Sequence, residues 1–280
     1  MGEIITGTKK PDKKQINKVK APKSKKDINK GIINLGIVTP LVIILLWEAF
    51  SRLGYIKPLI LPSPKDIFIT FISLVKSGEL LTHMSISLFR VVQGFFIGAL
   101  LGVIVGTLMA LFKKVNEALS STLSFLRPIP IIAWMPVLIL WMGIEEGSKV
   151  SVIAIGTFWP VLINVIHGIK SVDIKYLEVA KVLEKSKKET LFKVVFPAAL
   201  PAIFTGIKIG VSTAWMCVVA AELISSASGI GYKIMYSREI LQPADMFVGV
   251  FSIGVVGILV DKGIKLVEAK TLKWNVNIKN

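Results

Sequence analysis

The stretch VVQGFFIGALLGVIVGTLMALF, residues 91–112, decides the fold. It runs for 22 residues without a charge. A helix needs about 20 predominantly apolar residues to cross the hydrocarbon core of a bilayer, where no water can satisfy backbone N–H and C=O groups. Gly94, Gly98, Gly102 and Gly106 recur at every fourth position. That period places them on one stripe of a helix, where small residues let two backbones approach closely.

Similar blocks lie on either side. Residues 32–50 hold one charge, Glu48; residues 118–142 hold Arg127; residues 150–169 hold none. Two more, 199–224 and 247–266, are interrupted by Lys208 and crowded at one end by Asp261, Lys262 and Lys265. Long cationic side chains near helix ends reach the interface, so both remain candidate spans. With 88–112 they give six transmembrane helices in an all-α polytopic membrane protein. The chain is 53% hydrophobic with a mean hydropathy of +0.68. These blocks exclude a soluble enzyme and a disordered or collagen-like chain.

The net charge of +16 would suggest nucleic acid in a soluble protein. Between membrane spans the question becomes which side the cations occupy, and no nucleic-acid partner is expected. Of the 34 Lys and Arg, 25 fall in residues 1–30, 113–127, 170–193 and 262–279. Seven fall in the alternate loops, and Arg90 and Lys208 lie within spans. The positive-inside rule then puts both termini in the cytoplasm of a multi-pass cell-membrane protein. The organisation expected is a Lys-rich disordered tail at 1–30, a transmembrane domain at 31–270 and a short cytoplasmic tail at 271–280. The tail carries ten Lys with no apolar core, so it does not read as a cleavable signal.

Residues 51–87 then lie outside. Ser63-Pro64 starts an amphipathic helix with Ile67, Phe68, Phe71, Ile72 and Val75 on one face. A second small-residue stripe, Ala202, Gly206, Gly210 and Ala214, matches the first and reads as packing within one subunit. Pro128, Pro130 and Pro136 bend the span 118–142 and make it a candidate wall of a path through the membrane.

The loop between spans four and five, residues 171–197, carries the functional signal. Asp173 caps a helix on which Tyr176, Val179, Ala180 and Leu183 share an apolar face. A polar break at 184–188 precedes a second amphipathic segment, 187–196. A helix this short is marginal alone and needs a groove to hold it.

These residues resemble the EAA motif of binding-protein-dependent ABC importer permeases: Glu-Ala-Ala, three residues, Gly, nine residues, Ile-x-Leu-Pro. Here Glu178-Val179-Ala180 stands at the head, Glu184 at the glycine position and Val194-x-Phe196-Pro197 at the tail. The resemblance extends over about residues 55–270. Leu61-Pro-Ser-Pro64, Arg127-Pro-Ile-Pro130, Ala133-Trp134-x-Pro136, Phe196-Pro-Ala-Ala-Leu-Pro201, Ala220-Ala-Glu-Leu223 and Gly229-Ile-Gly231-Tyr232 are similar to the nitrate/sulfonate/taurine branch, which includes bicarbonate and vitamin-precursor importers. It implies a type I importer core and a coupling helix formed by Tyr176, Leu177, Glu178, Val179, Ala180, Leu183 and Glu184. It also implies a homodimer in the lipid bilayer, a cytosolic ATPase dimer that binds ATP and Mg, and an extracytoplasmic solute-binding protein. A residue other than Gly at Glu184 continues the helix, forms the turn itself or moves the turn to Ser186.

The chain has no G-x-x-x-x-G-K-[ST] stretch, so it is expected to carry no cofactor and to hydrolyse no ATP itself. His83 and His167 lie far apart, Cys217 is the single cysteine, and no metal-ligand spacing occurs. The transport path is expected along the third and fifth spans, at Trp134, Met135, Trp141, Trp215 and Met216. Glu222 reads either as a path acid or as a hydrogen-bonded structural one. The competing class is a secondary transporter driven by an ion gradient, which favours inverted repeats and more buried acids.

Overall fold

A computed structural model describes residues 25–271, with side chains from residue 38 onward. Of the expected tails 1–30 and 271–280, residues 1–24 and 272–280 lie outside the described residues, whereas 25–30 already belong to a helix, and so does Thr271. The elements are α1 Lys25–Arg52, α2 Pro64–Lys76, α3 Glu79–Leu111, α4 Lys113–Leu126, α5 Met135–Met142, α6 Glu146–Lys170, α7 Ile174–Val182, α8 Lys187–Thr190, α9 Phe196–Ser225, α10 Ile230–Glu239 and α11 Pro243–Thr271. A 3-10 turn, Ile131–Trp134, precedes α5, and a π turn, Leu191–Val195, precedes α9. No strand occurs among the described residues.

Among the described residues four helical stretches are long and apolar enough to cross a membrane: Glu79–Leu111, Glu146–Lys170, Lys187–Glu239, which contains α9, and Pro243–Thr271. The expected first span, 32–50, falls within α1, part of whose side chains lie outside the described residues. The expected third span, 118–142, is not one helix. It is broken into Lys113–Leu126 and Ile131–Met142, which meet at 93°. Pro128 and Pro130 remove two backbone donors in succession, and Pro130 sits at φ −57°, ψ 131°, outside the helical region. Pro136 is then tolerated because it opens α5, where its missing N–H has no helical partner anyway.

The core is α6 held between α3 and α9. Val152, Ile153, Val161 and Val165 of α6 are fully buried. All four glycines of the α3 stripe face α6: Gly94 meets Ile153, Gly98 meets Ala154 and Thr157, Gly102 meets Val161 and Gly106 meets Val165. On the other side Gly206 meets Asn164 and Pro160, and Gly210 meets Val161 and Thr157. Gly156 of α6 in turn receives the Cys217 sulfur. Both stripes therefore pack inside one subunit. Lipid tails are as apolar as these side chains, so close backbone approach and dispersion hold the helices together.

At Gly98 a Cβ would run into the Ala154 carbonyl oxygen, which cannot move without moving α6. Gly98→Val is expected to destabilise the protein by about 3 kcal/mol or more and to lower its melting temperature in detergent. Gly254 of α11 has nothing within 4 Å of the same position, so Gly254→Ala is expected to leave it unchanged.

α2 begins as the sequence indicates. Ser63 accepts a hydrogen bond from the Asp66 backbone N–H, and Pro64 opens the helix. The buried line differs from the expected face: Ile67 and Leu74 are covered, against Leu80 and Val248, while Phe68 is exposed. Residues read as an outer loop hold α10, whose Ile230 is buried beside the end of α9.

Candidate functional site

Two polar features lie at opposite ends of α6, whose 25 residues span roughly 37 Å. Residues 171–197 follow its last turn. A buried charge cluster surrounds its first.

In the loop, the Asp173 carboxylate accepts the Lys175 backbone N–H at 2.9 Å and starts α7. The helix closes with two reversed bonds, Lys185 N–H to Ala180 C=O and Glu184 N–H to Lys181 C=O, both at 3.0 Å. This is the Schellman arrangement, and it needs a left-handed residue at its pivot. Glu184 takes that conformation, at φ 50°. The chain neither continues the helix there nor moves the turn to Ser186. Ser186 opens the next helix instead: its hydroxyl accepts the Glu189 N–H, and the Glu189 carboxylate accepts the Ser186 N–H. Since only glycine holds a left-handed φ without cost, Glu184→Gly is expected to stabilise the loop by about 1 kcal/mol. Slower amide exchange in 174–185 checks it.

The result is a rigid, angled loop. Ala180 is buried, but Tyr176, Val179 and Leu183 are 58%, 57% and 62% exposed. These residues edge a cleft of about 560 Å³ whose other wall is Val194, Pro197 and Ala198. Leu177 is turned away from this cleft. Glu178 lies in α7, and Glu184 forms the turn at its end.

Of the six residues expected along the path, Met135, Trp215 and Trp134 meet in one core, to which Trp141 and Met216 do not belong. Met135, Trp215 and Glu222 are buried in the subunit. The Trp215 indole N–H donates to the Ile253 carbonyl of α11 at 3.2 Å. Trp134 packs on the same core. Trp141 and Met216 are 69% and 72% exposed. Met216 belongs to a stripe of exposed residues on α9 with Thr205, Ile209 and Ser212.

Glu222 is fully engaged. Its carboxylate accepts from Arg90 at 2.7 Å, from the Ser87 hydroxyl at 2.8 Å and from the Gly231 N–H at 2.9 Å. Arg90 also forks onto both oxygens of Glu146, each at 2.6 Å, and donates to the Ser228 carbonyl at 2.8 Å. Arg90, 1% exposed, thus ties α3 to the start of α6, the end of α9 and the turn into α10. The Ser87 hydroxyl also accepts the Ile230 N–H, and His83 accepts the Gly229 N–H. Gly229 and Gly231 make room for this cluster. A Cβ on Gly229, at φ 104°, would overlap the Glu222 carboxylate, and one on Gly231 would lie 2.7 Å from the Glu222 Cβ.

Sequence reading found Glu222 but not its partner. Arg90 and Glu222 are 132 positions apart. The available signal was the presence of one cation and one anion in separate apolar spans, each costly there unless paired. Lys208 follows the same rule and meets Glu268 of α11 at 2.8 Å. Glu48 pairs with Arg52 one turn along α1. No group of three potential metal ligands occurs among the described residues.

A stiff bundle of membrane-crossing helices with one amphipathic loop at its end is the build of a multi-pass transport component. The chain belongs to the binding-protein-dependent transport system inner membrane component family, whose model matches residues 98–273. It is 43% identical over 239 residues to a protein described as an aliphatic sulfonates transport permease, SsuC of Bacillus subtilis, with 85% of this chain and 87% of that one covered. It is 36% identical over 243 residues to the bicarbonate transport system permease protein CmpB of Synechococcus elongatus, covering 81% and 86%. A solved amino acid ABC transporter with histidines shares the fold at TM-score 0.58 and 18% identity, covering 73% of this chain and 98% of that one. The chain is therefore an inner-membrane ABC importer permease rather than a catalytic subunit.

Proposed function

We propose that two copies of this chain form the path of an ATP-driven importer for a small solute of the sulfonate, taurine, nitrate, bicarbonate or vitamin-precursor class, with α7 as its link to a cytosolic ATPase. One observation carries the reading: α7 is fixed by a cap, a Schellman turn and a capping box, yet its apolar ridge stays more than half exposed among the described residues. A rigid exposed ridge suits insertion into a groove of another protein.

Linkage then supplies the mechanism. ATP binding drives the permease only through a difference in the ATPase's affinity for two membrane states. The ridge transmits that preference, because α7 joins α6 through a three-residue link, and α6 is interlocked by glycine contacts with α3 and α9. The three helices then tilt as one body and expose a central path to one side at a time. The stripe of Thr205, Ile209, Ser212 and Met216 is the subunit's face toward that path. ATP and Mg bind the ATPase, and a solute-binding protein delivers the cargo from outside, near the Arg90 end of the bundle. Co-purification with a cytosolic ABC ATPase from the same cells tests the reading. Stable capture supports it, and transport by the permease alone, driven by an ion gradient, overturns it.

A further inference from the structure

Of the lysines in residues 171–197, Lys193 is paired with Glu189 at 2.9 Å. Lys181, Lys185, Lys187 and Lys188 line a second cavity, of about 480 Å³, and Lys185 also borders the first. Leu177 and Lys181, one turn apart on α7, face this cavity, whereas Tyr176, Val179 and Leu183 face the first. On α7 the ridge thus occupies one side and Lys181 the other, while Lys185 follows in the turn and Lys187 and Lys188 open α8.

The cavity floor is apolar: Leu111 and Phe112 from the end of α3, and Leu191 and Val195 from the π turn. Leu111 and Phe112 also end the 22-residue uncharged run. The floor therefore sits where hydrocarbon gives way to headgroups. Among the described residues the only acid within ion-pair reach of the four lysines is Glu189, 4.0 Å from Lys185. Four cations around one hollow repel each other and leave a strong demand for an anion.

A ligand for this place needs a negative head for the lysines and apolar chains for the floor. Free phosphate lacks the chains. Basic pockets beside membrane helices on the cytoplasmic side suit acidic lipid headgroups. The geometry points to a docking site for an acidic glycerophospholipid, its phosphate among Lys181, Lys185, Lys187 and Lys188 and its chains against Leu111 and Phe112. A lipid seated there braces α7 from behind while its ridge faces the ATPase. The inference rests on the cytoplasmic placement of residues 171–197 only for the choice of leaflet.

The test is lipid retention by the full-length permease, without ATPase. The protein is purified in mixed micelles of phosphatidylcholine and phosphatidylglycerol, and bound lipids are counted by native mass spectrometry. Wild-type protein is expected to retain phosphatidylglycerol at least about tenfold above its mole fraction, less so as salt rises. Replacing Lys181, Lys185, Lys187 and Lys188 together by Gln is expected to abolish the preference, while replacing all four by Arg keeps it. Equal retention of both lipids by the wild type, or an unchanged preference in the Gln variant, overturns the site. So does a Gln variant that fails to capture the ATPase in a separate pull-down yet keeps its lipid selectivity, because the lysines would then serve a protein partner. Lipid counts read neither transport nor ATP hydrolysis, so this inference and the coupling role fail separately.

Discussion

A permease carrying Tyr176→Asp and Leu183→Asp together is expected to stay folded in the membrane, release its ATPase and stop transporting. Both side chains are more than half exposed in the subunit, so their loss removes little internal packing. In the proposed complex they are apolar anchors, and truncating such a residue costs about 2 kcal/mol or more. An Asp adds the cost of taking a charge out of water without a partner. Two sites at that level sum to about 4 kcal/mol, roughly a thousandfold loss of affinity. Pull-down of the ATPase and solute-stimulated ATP hydrolysis both read the change. A double variant that still couples solute to hydrolysis would remove α7 from the mechanism.

The second large effect belongs to the other end of the bundle. Arg90→Ala strands the Glu222 carboxylate inside the protein, while Glu146, at its edge, keeps Lys149 at 3.6 Å. Breaking a buried pair by removing one partner costs about 3–5 kcal/mol, because the remaining charge has lost both water and its counterion. The thermal midpoint of the purified protein is expected to fall steeply. Glu222→Gln is expected to cost less, since the amide oxygen still accepts from Arg90, although the amide NH2 then faces the Gly231 N–H. This separates the two readings of Glu222. A path acid makes transport fail in Glu222→Gln while the melting temperature holds. A structural acid makes stability and transport decline together, with Arg90→Ala the worse of the two, and the closed hydrogen-bond set around Glu222 supports this second pattern.

What the sequence disclosed follows the range of the interactions. Ser63 and Asp173 were legible as caps because a cap is a contact over two or three residues. The glycine stripes were legible because helical periodicity is local, although their shared partner, α6, was not. Pro128 and Pro130 marked a bend, but its 93° depends on where α5 is held by the core. α10 went unread because its short run mixes Ile230 and Ile234 with Lys233, Arg238 and Glu239. Lys233 itself is buried and paired with Glu79 and Asp245, contacts that only the tertiary fold creates. Glu184 was flagged as a departure from glycine. Its left-handed φ is accepted because the two Schellman bonds and the Ser186 capping box offset the strain.

The burial of Cys217 against Gly156 has a practical consequence. The chain has no other cysteine, and this one is walled off by α6 on a helix that also faces the proposed path. The natural protein is thus already a silent background for maleimide mapping. A cysteine placed at Ser186 or Ser212 reports its own sidedness and accessibility, with no native residue to remove first.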